Sequence, residues 1–388
     1  MPKVLRGRIL TWEQVRTRRL ARNHLLKPVA RTRLVPAVSD LCGVQAQVLT
    51  AAELAIGARV RAVTQQAIED ALWKTRGLVK TYGPRGTLHL LPADEVPLWT
   101  AAIRALPLGG EEAWYAQSSL TAAQAQALFA AMRDALDGCT LTRAELADGV
   151  SARLGSWVHE RLASTWADLV GVAAFAGVLC FGPSQGSQVT FVRLDQWVRG
   201  WQELDPLESL KEVVRRYLAV YAPARPQDFA QWFAGKGLKP PEARMLFTSL
   251  ANELEPVEVE GQRAWVLTRD ARQTWEPVRG SLRLVPQYDC YLLGSRFGRE
   301  QLVPDAAKRR VFAFKNGRFE GATGLPVLLV DGVVAGMWER RERARRVEIR
   351  VESFIRLTRA QREGLEAEAV RIGEFLGAPG VLSLTTLG

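Results

Sequence analysis

Histidine and cysteine are scarce in this chain, with three histidines and four cysteines among 388 residues. His24, His89 and His159 have no ligand-like spacing, and Cys42, Cys139, Cys180 and Cys290 lie far apart with no CxxC pair. A zinc site or iron–sulfur cluster is therefore not expected, and neither metal nor cofactor is assigned. The thiols read as reduced and buried, as in a cytoplasmic protein. Long apolar runs are also missing. The longest, LVGVAAFAGVLCFG at 169–182, is too short to span a bilayer and reads as a buried helix running into a strand. The chain opens without a signal-peptide pattern, so a membrane is not expected as a partner.

Acid is in short supply too. Lys and Arg number 52 against 41 Asp and Glu, for a formal charge of +11 and a pI near 9.8. Such a balance suggests a polyanionic partner, most often nucleic acid. Residues 1–35 hold ten Lys/Arg, beginning with Lys3 and Arg6, against one acid, Glu13. Arg16, Arg19 and Arg22 fall on adjacent positions of the first expected helix, where they either line a binding cleft or face solvent. A second basic cluster is RRERARR at 340–346.

What is present is legible helix punctuation. Thr followed three residues later by Gln or Glu is the capping-box pattern. It occurs at Thr11/Gln14, Thr50/Glu53, Thr121/Gln124 and Thr142/Glu145. Apolar faces follow at helical spacing: Ala51, Leu54, Ala55, Ala58; Ala125, Leu128, Phe129, Met132; and Phe247, Leu250, Ala251, Leu254. Paired strand signals follow the helices three times: LVKTY with GTLHLL, GVLCF with QVTFVRL, and EPVEVE with RAWVL. Several helices followed by a hairpin is the winged-helix pattern, and the alternative is a generic α+β protein with hairpins. The expectation is an α+β fold of three tandem winged helices, at 1–118, 119–205 and 206–279. Residues 280–388 are strand-rich, with a final helix near 358–376 after Thr358. They are expected to form a small, partly closed β element packed on the third winged helix. Most of the twelve tryptophans, such as Trp166, read as core rather than as base-stacking platforms.

Five stretches in register carry a resemblance: VQAQ at 44–47, GPRGTLHLLPADEV at 83–96, GVLCFGPSQGSQVTFVRLDQW at 177–197, LVPQYDCYLLGSR at 284–296 and VDGVVAGMWER at 330–340. Together they resemble the AlkZ-type winged-helix DNA glycosylases, a family that includes YcaQ-like enzymes. The resemblance spans almost the whole chain. It implies a C-shaped arrangement with a concave, DNA-facing surface, and excision of alkylated bases, including bulky adducts and some interstrand crosslinks. The family's catalytic signature is Gln, an apolar residue, then Gln or Asp. Here it reads Gln45-Ala46-Gln47, with a smaller middle residue and no carboxylate at the second position.

Neutral amides suffice for one kind of leaving group. A purine alkylated at N7 or N3 is cationic, and breaking its glycosidic bond restores neutrality. What remains is to hold a water near C1′ and to stabilise an oxocarbenium-like sugar, by positioning and electrostatic preorganisation. In an extended segment, Gln45 and Gln47 project to one side, just ahead of a helix expected to start at the Thr50 cap. The nearest lysines in sequence, Lys27 and Lys74, offer no Schiff-base nucleophile, so a monofunctional enzyme leaving an abasic site is expected. Lys80 and Arg85 bracket the first wing turn and are candidates for phosphate contact. Arg340, Arg341, Arg345 and Arg346 flank an expected hairpin and are candidates for the DNA backbone. His89 is either a hydrogen-bonded structural residue or part of the DNA surface, and Asp289 either a buried paired carboxylate or a site residue. The expected partner is double-stranded DNA with alkylated bases, met by a monomer in the cytoplasm and at the nucleoid. The alternatives are a winged-helix transcription regulator and a non-catalytic damage-binding protein.

Overall fold

A computed structural model describes residues 8–106, 115–116, 118–163, 168–235, 237–304 and 325–386. Lys3, Arg6 and Trp166 lie outside the described residues. Three of the expected capping boxes form, at Thr11/Gln14, Thr121/Gln124 and Thr142/Glu145, and a fourth forms at Thr358/Gln361. In each, the Thr hydroxyl accepts the N–H three residues on, and that residue's side chain accepts the Thr N–H. Each such cap stabilises its helix by about 1 kcal/mol. Thr50 is the exception. The helix Leu49–Gly57 starts earlier, with Val48 at its N-cap and no side-chain cap. Glu53 turns inward instead and accepts a hydrogen bond from Gln65 Nε2 at 2.9 Å.

The chain runs through β1 (Arg8–Leu10), β2 (Val44–Gln45), β3 (Leu78–Tyr82), β4 (Leu88–Pro92), β5 (Thr140–Thr142), β6 (Leu179–Gln185) and β7 (Gln188–Arg193). It continues with β8 (Leu254–Val259), β9 (Gln262–Leu267), β10 (Leu282–Val285), β11 (Val327–Val330), β12 (Val333–Arg343), β13 (Arg346–Ser353) and β14 (Gly380–Thr386). The three expected hairpins are β3–β4, β6–β7 and β8–β9, all antiparallel. The first two are joined edge to edge. Lys80 on β3 pairs with Phe181 on β6, which joins them in one six-stranded sheet of order β2-β4-β3-β6-β7-β5. The third hairpin takes on β1 as a parallel neighbour, so the N-terminal segment closes on a strand some 250 positions away. The apolar run at 169–182 is a helix, Asp168–Phe175, leading into β6 as its composition indicates.

The C-terminal region is an open five-stranded sheet, β10 to β14 in sequence order, rather than a partly closed one. Its alternating face on β13 buries Val347, Ile349 and Val351. That face packs on the helix Arg359–Phe375 and shares one core with the helices of residues 34–72, rather than with the third hairpin region as expected. Leu34, Val38, Leu54 and Leu72 share one core with Leu284, Trp338, Ile349 and Phe375. The helix Arg359–Phe375 lies over this seam, and a Cβ built on Gly57 would come within 3.0 Å of the Phe375 ring. Around the third hairpin a separate core gathers Tyr217, Tyr221, Phe229, Trp232 and Phe233. Within the described residues no helix is long and apolar enough to cross a membrane.

Candidate active site

The Gln45-Ala46-Gln47 segment owes its shape to the turn before it. The helix Leu34–Asp40 ends as Cys42 and Gly43 adopt left-handed φ of 61° and 86°. Their N–H groups donate to Ser39 O at 2.9 Å and Val38 O at 3.0 Å, which satisfies carbonyls left over at the helix end. A Cβ at Gly43 would meet the Leu91 side chain at 2.5 Å, so this position takes only glycine. The turn is also pinned from outside. Tyr221 Oη donates to Leu41 O at 3.0 Å, and Cys290 Sγ donates to Gly43 O at 3.6 Å.

From that turn the chain becomes β2, the edge strand of the central sheet, with Gln45 opposite His89 on β4. Ala46 N–H donates to Leu88 O at 2.6 Å, and the Ala46 side chain is fully buried. The two glutamines flanking it have unlike surroundings. Gln45 is 7% exposed, and its Oε1 accepts from Arg85 Nη2 at 2.8 Å. Gln47 is exposed, and its Oε1 accepts the Leu88 N–H at a long 3.4 Å. Both amide oxygens thus reach the same hairpin, one at its turn and one at the start of its return strand.

Arg85 is the hub of this arrangement. It sits in the turn Pro84–Gly86 with a left-handed φ of 61°. Its Nη1 donates to Trp232 O, near the end of the helix Pro226–Phe233. Burial and then the neighbouring Arg296 charge bring its pKa down to about 10, so the guanidinium remains charged at neutral pH. His89 is buried beside it. Its Nδ1 lies 2.9 Å from Thr87 O, a pure acceptor, so Nδ1 carries the proton. Burial, with the Arg85 charge adding to it, pushes His89 down to about 3, and the ring is neutral.

Asp289 lies at the start of the short helix Cys290–Gly294, not within a strand. It accepts the Tyr291 N–H at 3.0 Å and pairs with the Arg59 guanidinium at 2.8 and 2.7 Å. Asp289 is thus the buried, paired carboxylate, and Arg59 is the partner that sequence reading missed.

The first-helix arginines part company. Arg19 is 1% exposed and faces neither a cleft nor solvent. It donates to Tyr221 O, Phe297 O and Pro223 O at 2.8–3.0 Å. Arg18 beside it donates to Ala219 O, Ala222 O and the Asp270 carboxylate. Two consecutive arginines therefore cap the C-terminal carbonyls of the helix Pro206–Tyr221, where positive charge is favoured. Arg22 is half-buried and donates to Asp270 Oδ1 and Gln273 Oε1, both at 3.0 Å. Arg16 is half-buried. Lys80 does not bracket the wing turn either. It is half-buried in mid-strand, 5.3 Å from the Phe181 ring, where burial lowers its pKa and Glu53 opposes that effect.

In the second cluster, Arg340 and Arg341 lie on β12 and Arg346 begins β13, with Arg343 opposite Arg346. Arg341 pairs with Glu339 at 3.1 Å, and Arg345 and Arg346 are exposed. Arg340 reaches back toward the motif. It lines a cavity of about 180 Å³ with Thr50, Ala51, Leu54, Gln287 and Trp338, at the start of the helix that follows Gln47. Its Nη1 is buried and has no hydrogen-bond partner among the described residues.

Arg296, at the end of the LVPQYDCYLLGSR stretch, is a further cation near Arg85, and burial lowers its pKa. Its place at the end of that stretch was the signal for it. Cys42, Cys180 and Cys290 are buried, and burial raises each thiol, to about 11 for Cys290, so none is poised as a nucleophile. Cys139 is exposed, against the expectation of four buried thiols. No group of three or more His, Cys, Asp or Glu able to hold a metal occurs among the described residues.

Comparison with known proteins identifies the family. The model of the family "DNA glycosylase AlkZ-like" matches residues 38–375. An "interstrand DNA cross-link repair glycosylase" from Streptomyces sahachiroi is 32% identical over 373 residues, which is 95% of this chain and 97% of that protein. The solved structure of Streptomyces sahachiroi DNA glycosylase AlkZ superposes with a TM-score of 0.84 at 31% identity, covering 97% of this chain and all of that one. The chain belongs to the AlkZ-like family of DNA glycosylases.

Proposed function

We propose that this glycosylase is monofunctional and hydrolyses the N-glycosidic bond of purines made cationic by alkylation at N7 or N3, leaving an abasic site. The observation that carries the reading is the Gln45-Ala46-Gln47 segment itself, which leaves the edge strand β2 at Gln45 with both amide oxygens on one hairpin and no lysine in the motif. In the proposed reaction the C1′–N9 electron pair passes to the purine, which leaves neutral. Water oxygen bonds to C1′ and gives up one proton to bulk solvent. No strong base is required, because the leaving group is already activated. The two amides supply position and partial charge.

The relative from Streptomyces sahachiroi is named for interstrand cross-link repair, and we extend that substrate class, with bulky adducts, to this chain. The proposal includes three winged-helix units at 1–118, 119–205 and 206–279 in a C shape, with the 280–388 region beside them. A monomer would hold duplex DNA on the concave side, with Arg16, Arg340, Arg341 and Arg346 toward its phosphates. A net charge of +11 supports such a partner.

The test is base release from a duplex carrying one 7-methylguanine, read as alkali-cleaved abasic sites, with Gln45→Ala/Gln47→Ala protein alongside. Release by the wild type alone supports the reading. Binding without release, on this duplex and on a bulkier N7 adduct or crosslink, would favour a damage-binding protein. Efficient borohydride trapping of a covalent enzyme–DNA adduct would refute the monofunctional mechanism.

A further inference from the structure

We infer that Arg85 is a positioning residue that gives the two glutamines unequal roles, holding the Gln45 oxygen so that its N–H₂ meets the nucleotide while Gln47 presents its carbonyl to water. The inference rests on the glycosylase reading above and deepens it.

The orientation of a glutamine amide is ordinarily ambiguous, because oxygen and nitrogen are near-isosteric. Here chemistry removes the ambiguity. A guanidinium only donates, so the Gln45 atom 2.8 Å from Arg85 Nη2 is the oxygen. A cation at that distance also unsuits Gln45 for the role of cation stabiliser. An oxocarbenium-like sugar beside the Gln45 carbonyl would feel the Arg85 charge as repulsion, in a site where burial weakens screening. The amide nitrogen is the group left to act, and it acts as a donor toward an acceptor on the sugar or the leaving base.

Gln47 has the opposite character. It is exposed, and among the described residues its oxygen accepts the Leu88 N–H at 3.4 Å, a bond long enough to be traded for a water hydrogen. The carbonyl that accepts from water and faces the developing cation is therefore that of Gln47.

Arg85 itself is built to hold rather than to reach. Its backbone has a left-handed φ of 61°, a conformation that a long side chain adopts at a cost. Its second terminal nitrogen is tied to Trp232 O. A side chain anchored at both ends suits a clamp better than a mobile phosphate contact, which was the sequence-based assignment.

The experiment measures single-turnover excision of 7-methylguanine and, separately, duplex affinity over a salt series. Gln45→Glu retains the Arg85 contact as an ion pair but has no N–H to donate. It is expected to fall about 100-fold in excision rate, the scale on which small misplacements act. Gln47→Glu keeps an acceptor and should excise at least ten-fold faster than Gln45→Glu. Arg85→Met should lower the excision rate with duplex affinity and salt slope unchanged, and Arg85→Lys should restore part of the rate. Wild-type rates from Gln45→Glu, or the reverse order of the two Glu variants, would overturn the inference. So would Arg85→Met with weaker binding, a salt slope smaller by about 1 and a normal rate once bound. Thermal melting checks the fold of Arg85→Met, and should it unfold, the two Glu variants decide alone because both keep Arg85. Absence of base release by the wild type is a separate result: it removes the glycosylase reading and the inference with it.

Discussion

The carboxylate of Asp289 grips the guanidinium of Arg59 through two hydrogen bonds of 2.8 and 2.7 Å, with both side chains at zero exposure. The pair joins the loop after the helix Leu49–Gly57 to the N-cap of Cys290–Gly294, two segments 230 residues apart. Burial works against the Arg59 charge, and the Asp289 carboxylate more than offsets it, so Arg59 is held protonated. Removing one partner leaves the other charge buried without compensation. Asp289→Asn is therefore expected to cost about 3–5 kcal/mol. Urea unfolding of the two proteins checks this, and a loss under 1 kcal/mol would mean that solvent reaches the pair.

Arg16 and Arg19, three positions apart, are expected to fail in different assays. Arg19→Met strips three backbone carbonyls of their donor. Each buried unsatisfied group costs about 1–3 kcal/mol, so a large fall in melting temperature follows. Arg16→Ala should leave melting unchanged and reduce the dependence of log K on log salt by about 1, the signature of one lost phosphate contact. Equal stability of both variants would contradict the structural assignment of Arg19.

These arginines show what could and could not be read from the chain. Local signals were legible. The Thr-led caps at Thr11, Thr121 and Thr142 and the three hairpins depend on neighbours within a few residues, and they formed where their sequence placed them. Gln45 and Gln47 were visible as a pair because the motif is contiguous. Long-range partnerships were not. Nothing local distinguishes Arg19, bonded to Tyr221 O, from a phosphate-binding arginine, since both look like positive charge on a helix. The Thr50/Glu53 box failed for the same reason, because Glu53 bonds with Gln65 across a loop instead of folding back on its own helix start. The pairing of β1 with β8 and the seating of the C-terminal sheet on residues 34–72 are likewise decided by complementary faces far apart in sequence.

The hairpin arginines should contribute affinity without sequence preference. Arg341 and Arg346 are exposed at the distal part of β12–β13, where Arg341 pairs with Glu339 at 3.1 Å. Exposed pairs of that kind are worth about 0.2–1 kcal/mol and yield readily to a phosphate. Replacing both with alanine should weaken binding to lesion-bearing and undamaged duplexes alike and lower the salt slope by about 2. The excision rate of bound substrate should stay as in the wild type. A selective loss for the damaged duplex would instead put this hairpin at the lesion.

His89 makes the fold sensitive to mild acid. Its ring is held neutral in the folded state, with a pKa of about 3, because burial opposes protonation and the Arg85 charge adds to that opposition. In the unfolded chain a histidine titrates near ~6.5. Above that value both states are neutral and His89 contributes no slope. Below it the unfolded chain takes up a proton that the folded one refuses, so stability falls as pH drops from about 6.5 toward 3, approaching about 1.4 kcal/mol per pH unit. The upper part of that window is the informative one, since carboxylates remain largely ionised there. Asparagine at this position keeps a nitrogen donor for Thr87 O but does not titrate. Denaturant midpoints of wild type and His89→Asn, taken between pH 7 and 5, should therefore diverge, with the variant losing less stability on acidification. Parallel midpoints would show that the ring protonates in the folded state, and the buried, neutral assignment of His89 would have to be withdrawn.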